Sequence, residues 1–289
     1  MPGEKIIDLI TTKQNAKEKF ISFEYFPPKT DDGVKSLIDR IGRYKTQDGL
    51  FMDMTWGAGG STSDLTLDLC IRMNNEIGVE SNMHLTCTNM DKEKVDIALE
   101  GAKKAGIRNI VALRGGYPEG HCGMIKKVED GRELTETEKG RMVQMDDGIY
   151  VCSDEDFEKE MDYLQQKIDA GADLIITQMV FDADVYESFV KACRARGITV
   201  PIVPGIMCIQ NQGGFGRMTK FCRSRVPASL RKQMEDAGDD KEAVRQVAIK
   251  FGADLSRKLL EMGAPGLHYY TLNLEKVTLG ILSELGLKK

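Results

Sequence analysis

The sequence has no run of about 18 consecutive apolar residues, so no membrane-spanning helix is expected. Its first stretch, MPGEKIIDLITTKQ, lacks the apolar core of a signal peptide, and a cytoplasmic protein is expected. Seven cysteines are present without one C-x-x-C pair, which argues against a zinc ribbon and for reduced thiols. There is no basic excess. Forty Lys and Arg against 45 Asp and Glu leave a net charge of −5, so a small-molecule substrate fits better than nucleic acid or an anionic membrane. Only three histidines occur, none in an H-x-H pair, and no metal is expected. No internal repeat, low-complexity tract or Pro/Gly/Ser-rich linker stands out, and residues 1–289 are read as one domain.

What is present is a rhythm. Apolar residues at 41% and charged residues at 29% are ordinary for a globular protein. Short β-rich runs alternate with amphipathic helical stretches. FISFEYF (20–26) reads as a strand, and GVKSLIDRIGRYK follows with Val34, Leu37, Ile38 and Ile41 at helical spacing. LFMDMTW (50–56), SNMHLTC (81–87) and NIVALRG (109–115) are the next strands, with helices between them; Ser63 is the expected N-cap of the first of these. Later come ADLIITQMVF, a helix, PIVPGIMC, a long helical region from Gln212 to Met262, GLHYYTLN and a last helix. Strands alternating with helices imply a parallel sheet, and about eight such units imply an α/β (β/α)8 TIM barrel, with an open doubly wound sheet as the alternative. Nearly 60 residues separate the fourth strand from ADLIITQ. In that interval only IYVC (149–152) could be a strand, so seven strands are clear and one βα unit is doubtful or rebuilt.

In such a barrel, chemistry sits at the C-terminal strand ends. In the first strand Ile21, Phe23 and Tyr25 share one uniformly apolar face, which should meet the helices; Glu24 therefore points inward. A desolvated carboxyl there can act as a general acid near neutral pH, although a buried structural glutamate has the same pattern. Thr55 and Trp56, the only tryptophan, end the second strand, and GAGGST follows; that loop lacks the lysine of a phosphate-binding P-loop. His84 ends the third strand, His121 closes VALRGGYPEGH, and His268 lies in the last strand. Gln178 and Tyr270 could hydrogen-bond a polar heterocycle or line a closed barrel mouth.

Taken in order, SFEYFPPKT, DMTWGAGG, HLTC, ALRG, GYPEGH, DYLQQKIDAGADLIITQ, VPGIM and HYYTLN resemble the methylenetetrahydrofolate reductases over nearly the whole chain, most closely the catalytic domain of eukaryotic members. A single catalytic barrel domain without the family's C-terminal regulatory domain is expected. The resemblance implies a barrel holding FAD, reduced by NADPH or NADH, which passes a hydride to 5,10-methylenetetrahydrofolate to give 5-methyltetrahydrofolate. It implies that Glu24 is the acid that opens the folate's five-membered ring. It implies that Thr55, Trp56, His84, Arg114, Gly115, Tyr117, His121 and Lys167 contact the flavin, that Gln178 and Tyr270 contact the folate, and that the protein forms an oligomer, as is common in the family. One departure is large. The family pattern ALRGD, helix, strand, GYPEGH is here ALRG joined directly to GYPEGH, with Gly116 in place of the aspartate. Two alternatives accompany the reductase: an impaired or silent form that binds folate or pairs with an intact subunit, and a TIM-barrel lyase or isomerase acting on a phosphorylated substrate held by GAGGST.

Overall fold

The computed structural model describes residues 3–57, 62–87, 90–113 and 124–289. The chain divides into two compact units: Met1–Gly116 with Pro265–Lys289, and Tyr117–Ala264.

The first unit begins with helix α1 (Ile6–Asn15), then β1 (Phe20–Tyr25), α2 (Asp31–Lys45), β2 (Met52–Met54), α3 (Ser63–Arg72), β3 (Ser81–Thr86), α4 (Lys92–Lys104) and β4 (Ile110–Leu113). In the second unit come β5 (Ile125–Lys127), α5 (Glu136–Gly140), β6 (Val143–Met145), β7 (Gly148–Cys152), α6 (Asp154–Asp169), β8 (Ile175–Met179), α7 (Ala183–Ala195), β9 (Ile202–Met207), α8 (Gln212–Phe221), α9 (Ala228–Ala237) and α10 (Lys241–Glu261). The chain then returns to the first unit as β10 (Gly266–Tyr270) and α11 (Lys276–Glu284). The order of elements is that of a (β/α)8 protein with one βα unit rebuilt, and the class is α/β.

In the first unit the strands run in the order β4-β3-β2-β1-β10, every pair parallel. Alternation sorts their side chains onto two faces. Phe23, Tyr25, Met52, Met54, Met83, Leu267 and Tyr269 share one face and are fully buried. Phe23 sits 4.6 Å from the Tyr44 ring of α2 and 6.2 Å from Tyr269, and Tyr25 meets Tyr44 edge-on at 5.6 Å. Aromatic burial of this kind anchors the helix layer to the sheet. Helix α2 starts cleanly because the Thr30 side chain accepts the Gly33 N–H. A bidentate Arg43–Glu275 pair, at 2.8 and 2.7 Å, ties α2 to the start of α11. After β10 the chain turns through Leu272 and Asn273, both with positive φ, and the Asn273 amide clamps Phe26: Phe26 N–H donates to Asn273 Oδ1 at 3.0 Å and Asn273 Nδ2 to the Phe26 carbonyl at 2.7 Å. The C-terminal ends of β1 and β10 are thereby held side by side. Their close approach also needs a glycine, since a Cβ on Gly266 would lie 2.6 Å from the Phe20 carbonyl oxygen.

The second unit contains the parallel pair β8 and β9, with Ile175 opposite Ile202 and Ile176 opposite Val203. It also contains an antiparallel sheet in the order β5-β7-β6. Ile149–Cys152, the one candidate for an eighth parallel stave, is the central strand of this sheet. Both its edges are hydrogen-bonded, to β5 and to β6, so it rebuilds the interval as an antiparallel hairpin structure and not as a parallel stave. Polar contacts lock the interval down. Thr135 and Glu138 form a capping box on α5, and Asp154 accepts from Thr135 and Thr137 at 2.7 and 2.8 Å and pairs with Arg141. Those bonds, the Thr135 one foremost, pull the Asp154 carboxyl down to about 2.

Two smaller expectations change. Helix α3 is preceded by Thr62, not capped by Ser63, which is its first helical residue; the Thr62 hydroxyl instead accepts the Gly57 N–H at 2.7 Å. The long helical region is three helices, broken at residues 222–227, which include Pro227, and again at Gly238.

Candidate active site

Strand register assembles the site on the second, polar face of the five-stranded sheet. Glu24 lies opposite Asp53 on one side and Tyr270 on the other; Ser22 lies opposite His268; Asp53 lies opposite Asn82, two residues before His84. Because side chains alternate, Ser22, Glu24, Asp53, Asn82, His84, His268 and Tyr270 all project to this face.

The distances describe one connected group. His84 Nε2 is 2.9 Å from Asp53 Oδ2 and 3.5 Å from Glu24 Oε2. His268 Nε2 is 3.6 Å from the same Glu24 oxygen and 4.0 Å from Asp53 Oδ2. Behind it, His268 Nδ1 is 2.9 Å from Ser22 Oγ, which lies 3.4 Å from the Leu267 carbonyl. The Tyr270 ring packs edge-on against the His268 ring at 5.1 Å. Side-chain exposure falls from 18% at Glu24 to 10% at His84, 1% at Asp53 and zero at His268, so Glu24 is the most exposed of the four. Burial of the His84 ring opposes its charged form, but the Asp53 hydrogen bond and the two nearby carboxylates outweigh it, and the imidazole pKa is raised above its usual 6.5. Glu24, Asp53 and His84 place one polar atom each within 4.8 Å of one another. Two carboxylates this close in a buried setting need protons between them or a cation; the 2.9 Å His84–Asp53 contact is of hydrogen-bond length, so a proton joins that pair. Among the described residues, Asp53 Oδ1, His268 Nε2 and Trp56 Nε1 are buried without a hydrogen-bond partner.

The expected site residues fall into three sets. Glu24, His84 and Tyr270 come together as described, and Thr55 and Trp56 continue β2 just past Asp53, with Thr55 N–H bonded to the Tyr25 carbonyl at 2.8 Å and the Thr66 hydroxyl donating to the Thr55 carbonyl at 2.9 Å. Lys167 and Gln178 belong to the second unit. Lys167 Nζ lies 4.5 Å over the Tyr163 ring, and the exposed Gln178 folds its Oε1 back onto the Met179 N–H at 3.1 Å. Arg114, Gly115, Tyr117 and His121 lie outside the described residues. Sequence reasoning passed over Asp53 and Ser22 and left His268 unassigned. The signal for them was a polar residue on the same parity as Glu24 in neighbouring strands, but parity becomes contact only once the register is known.

Fold and site together define a class: an α/β protein of parallel βα units that carries a carboxylate–imidazole group at its strand ends. A family model described as methylenetetrahydrofolate reductase matches residues 9–286. The chain belongs to the methylenetetrahydrofolate reductase family. It is 42% identical over 305 residues to methylenetetrahydrofolate reductase (NADH) 1 of Zea mays, covering 98% of this chain and 51% of that one. The counterpart from Arabidopsis thaliana is 42% identical over 301 residues, with the same coverage of 98% and 51%. A probable methylenetetrahydrofolate reductase (NADPH) of Caenorhabditis elegans is 33% identical, with 99% of this chain and 44% of that one covered. The chain thus spans about half the length of the curated relatives it matches. Among solved structures, an uncharacterized protein from Clostridium thermocellum that binds two copies of 5-methyl-5,6,7,8-tetrahydrofolic acid has the same fold, with a TM-score of 0.54 at 13% identity, covering 96% of this chain and 97% of that one. Among the described residues, no helix is long and apolar enough to cross a membrane.

Proposed function

We propose that this chain reduces 5,10-methylenetetrahydrofolate to 5-methyltetrahydrofolate at the expense of NADH or NADPH, through bound FAD, with Glu24 as the acid. The observation that carries the reading is the position of Glu24: the most exposed member of a buried acid–base group, on the polar strand face, in a chain of this family. Glu24 donates a proton to a ring nitrogen of the folate, the five-membered ring opens, and the exocyclic carbon becomes an electrophilic iminium that accepts a hydride. The hydride that began on the nicotinamide completes the methyl group, and the proton from Glu24 stays on the nitrogen released by ring opening. FAD supplies the hydride relay when bound.

Within the first unit the residues that would hold the flavin are Thr55, Trp56 and His84. The buried Nε1–H of Trp56, which has no partner among the described residues, supports this, because a heterocycle rich in acceptor atoms would satisfy such a donor. Arg114, Gly115, Tyr117, His121 and Lys167 are proposed as further flavin contacts. Gln178 and Tyr270 are proposed as folate contacts, and the Tyr270 ring beside His268 supports that role on one side. We propose a single functional domain working as an oligomer in the cytoplasm. A relative carrying NADH in its name at 42% identity supports NADH, and one carrying NADPH at 33% supports the other cofactor less strongly.

A second reading is a chain that binds folate without turning it over. It is favoured by the antiparallel β5-β7-β6 sheet standing where a parallel βα unit is expected. The visible spectrum of the purified protein separates the two. Flavin absorbance bleached anaerobically by NADH or NADPH and restored by methylenetetrahydrofolate supports the reductase; a colourless protein that takes up no FAD yet binds folate supports the second.

A further inference from the structure

Four donor atoms of the first unit face one another more closely than their hydrogen bonds account for. His84 Nε2 lies 2.9 Å from Asp53 Oδ2, which is a hydrogen bond, but 3.5 Å from Glu24 Oε2. His268 Nε2 lies 3.6 Å from that same glutamate oxygen and 4.0 Å from Asp53 Oδ2. Glu24, Asp53 and His84 bring one ligand atom each within 4.8 Å of one another. His268 is an independent observation: its side chain is fully buried, it comes from a further strand, and its Nε2 has no hydrogen-bond partner among the described residues while facing the two carboxylates.

Separations of this kind suit ligation. With zinc–nitrogen and zinc–oxygen bonds of about 2.0–2.2 Å, two ligand atoms on one tetrahedral ion lie roughly 3.3–3.6 Å apart. The pairs at 3.5 and 3.6 Å meet that spacing; the pair at 2.9 Å must open slightly and the pair at 4.0 Å close slightly. Two imidazole nitrogens beside two carboxylate oxygens select a zinc-class ion over magnesium or calcium, which take shells of oxygen. The two carboxylates match the charge of such an ion, which would take the place of the proton between His84 and Asp53. No H-x-H spacing is needed, because β1, β2, β3 and β10 supply one ligand each. The way in lies on the side where Glu24 and His84 keep some exposure.

We propose that Glu24, Asp53 and His84, with His268 Nε2 as the fourth donor, form a binding site for one divalent cation of the zinc class, and that this ion and the folate reaction exclude one another at Glu24. The exclusion rests on the reading of Glu24 as the acid: a carboxylate oxygen that ligates the ion cannot carry the proton that opens the folate ring. Reduction of the flavin by NAD(P)H asks no proton of Glu24, so the ion acts on the folate half of the cycle.

The test uses the purified full chain, stripped of metal with a chelator and titrated with cobalt(II), whose visible d–d absorption reports four-coordination. One equivalent should bind, zinc should displace it, and an excess of magnesium should not. Asp53→Asn and Glu24→Gln, which keep side-chain volume, should each weaken cobalt binding at least about tenfold, the lower bound for a residue that only supports a ligand. Cys87→Ser, which removes an exposed thiol, should bind cobalt as the parent does. The parent labelled with 15N-histidine gives a reading that depends on no variant: zinc should shift the Nε2 signals of His84 and His268 and saturate at one equivalent. The proposal is overturned by the absence of a cobalt band, by a band that survives both carboxylate substitutions or is lost in Cys87→Ser, or by histidine signals that do not move. None of these readings needs turnover, so their failure is distinct from failure of the reductase reading. Where turnover is present, one equivalent of zinc should stop formation of 5-methyltetrahydrofolate and spare quinone-coupled NAD(P)H oxidation; undiminished folate reduction by the zinc-loaded chain overturns the exclusion.

Discussion

Replacing Asp53 with asparagine isolates the electrostatics of the site from its shape. Asp53 is 1% exposed, and its Oδ2 accepts from His84 Nε2 at 2.9 Å. Asparagine keeps the volume and can keep one hydrogen bond, but it removes the charge. A hydrogen bond to a charged partner contributes about 1.5–3 kcal/mol and a neutral one about 1, so the substitution should destabilise the first unit by roughly 1.5 kcal/mol when His84 is protonated. For a chain of this size that corresponds to a fall in Tm of roughly 3–6 °C. The pH dependence has a definite sign. His84 has a pKa raised in the folded state, because the hydrogen bond to Asp53 and the two carboxylates outweigh burial. Its contribution is therefore fully present below the unfolded value near 6.5 and is lost as pH rises through the higher folded value. The Tm gap between the parent and Asp53→Asn, read by differential scanning calorimetry, should be widest near pH 6 and narrow by pH 9. A gap that is constant, or that widens with pH, would refute the assignment of His84 as the charged partner of Asp53.

Other expectations are simpler. Glu24→Gln should cut methylenetetrahydrofolate turnover at least about 100-fold, the scale of a lost general acid, while quinone-coupled NAD(P)H oxidation stays within a few fold. Gly266→Ala should cost about 1–3 kcal/mol, since its Cβ meets the Phe20 carbonyl at 2.6 Å; urea denaturation should show a lower midpoint at unchanged slope. Asp154 should stabilise the β5-β7-β6 region above pH 4, and that effect should disappear as pH falls through about 2, read as loss of amide-exchange protection in β7.

Much of the fold was legible because it rests on local periodicity. The FISFEY alternation assigned Phe23 and Tyr25 to the helix side and Glu24 to the other, and burial follows it: Phe23 and Tyr25 are fully buried, and Glu24 keeps partial exposure. All seven parallel strands lie where short apolar runs predict them. Helix α1 was not anticipated, since its first buried residues, Ile6 and Ile10, are followed by a polar last turn. The 124–152 interval was illegible for a related reason. Strands of three residues such as Ile125–Lys127 and Val143–Met145 are too short and too polar to show a period, and they are held by pairing with β7 and by the Asp154 contacts. The Thr135–Glu138 capping box was nonetheless written in the sequence as a T-x-x-E spacing. In the site, Glu24 and His84 could be picked from their strand ends. Asp53 and His268 could not, because an aspartate in a three-residue strand and a histidine amid tyrosines acquire meaning only from Glu24↔Asp53 and Ser22↔His268 register, which is a long-range property.

The most direct measurement is anaerobic product analysis. The purified chain, supplied with FAD, NADH and 5,10-methylenetetrahydrofolate, should form 5-methyltetrahydrofolate in equal amount to the NADH oxidised, and Glu24→Gln should oxidise NADH with a quinone but form no methyl product. Absence of 5-methyltetrahydrofolate from the unsubstituted chain, with or without NADH oxidation, would contradict the account.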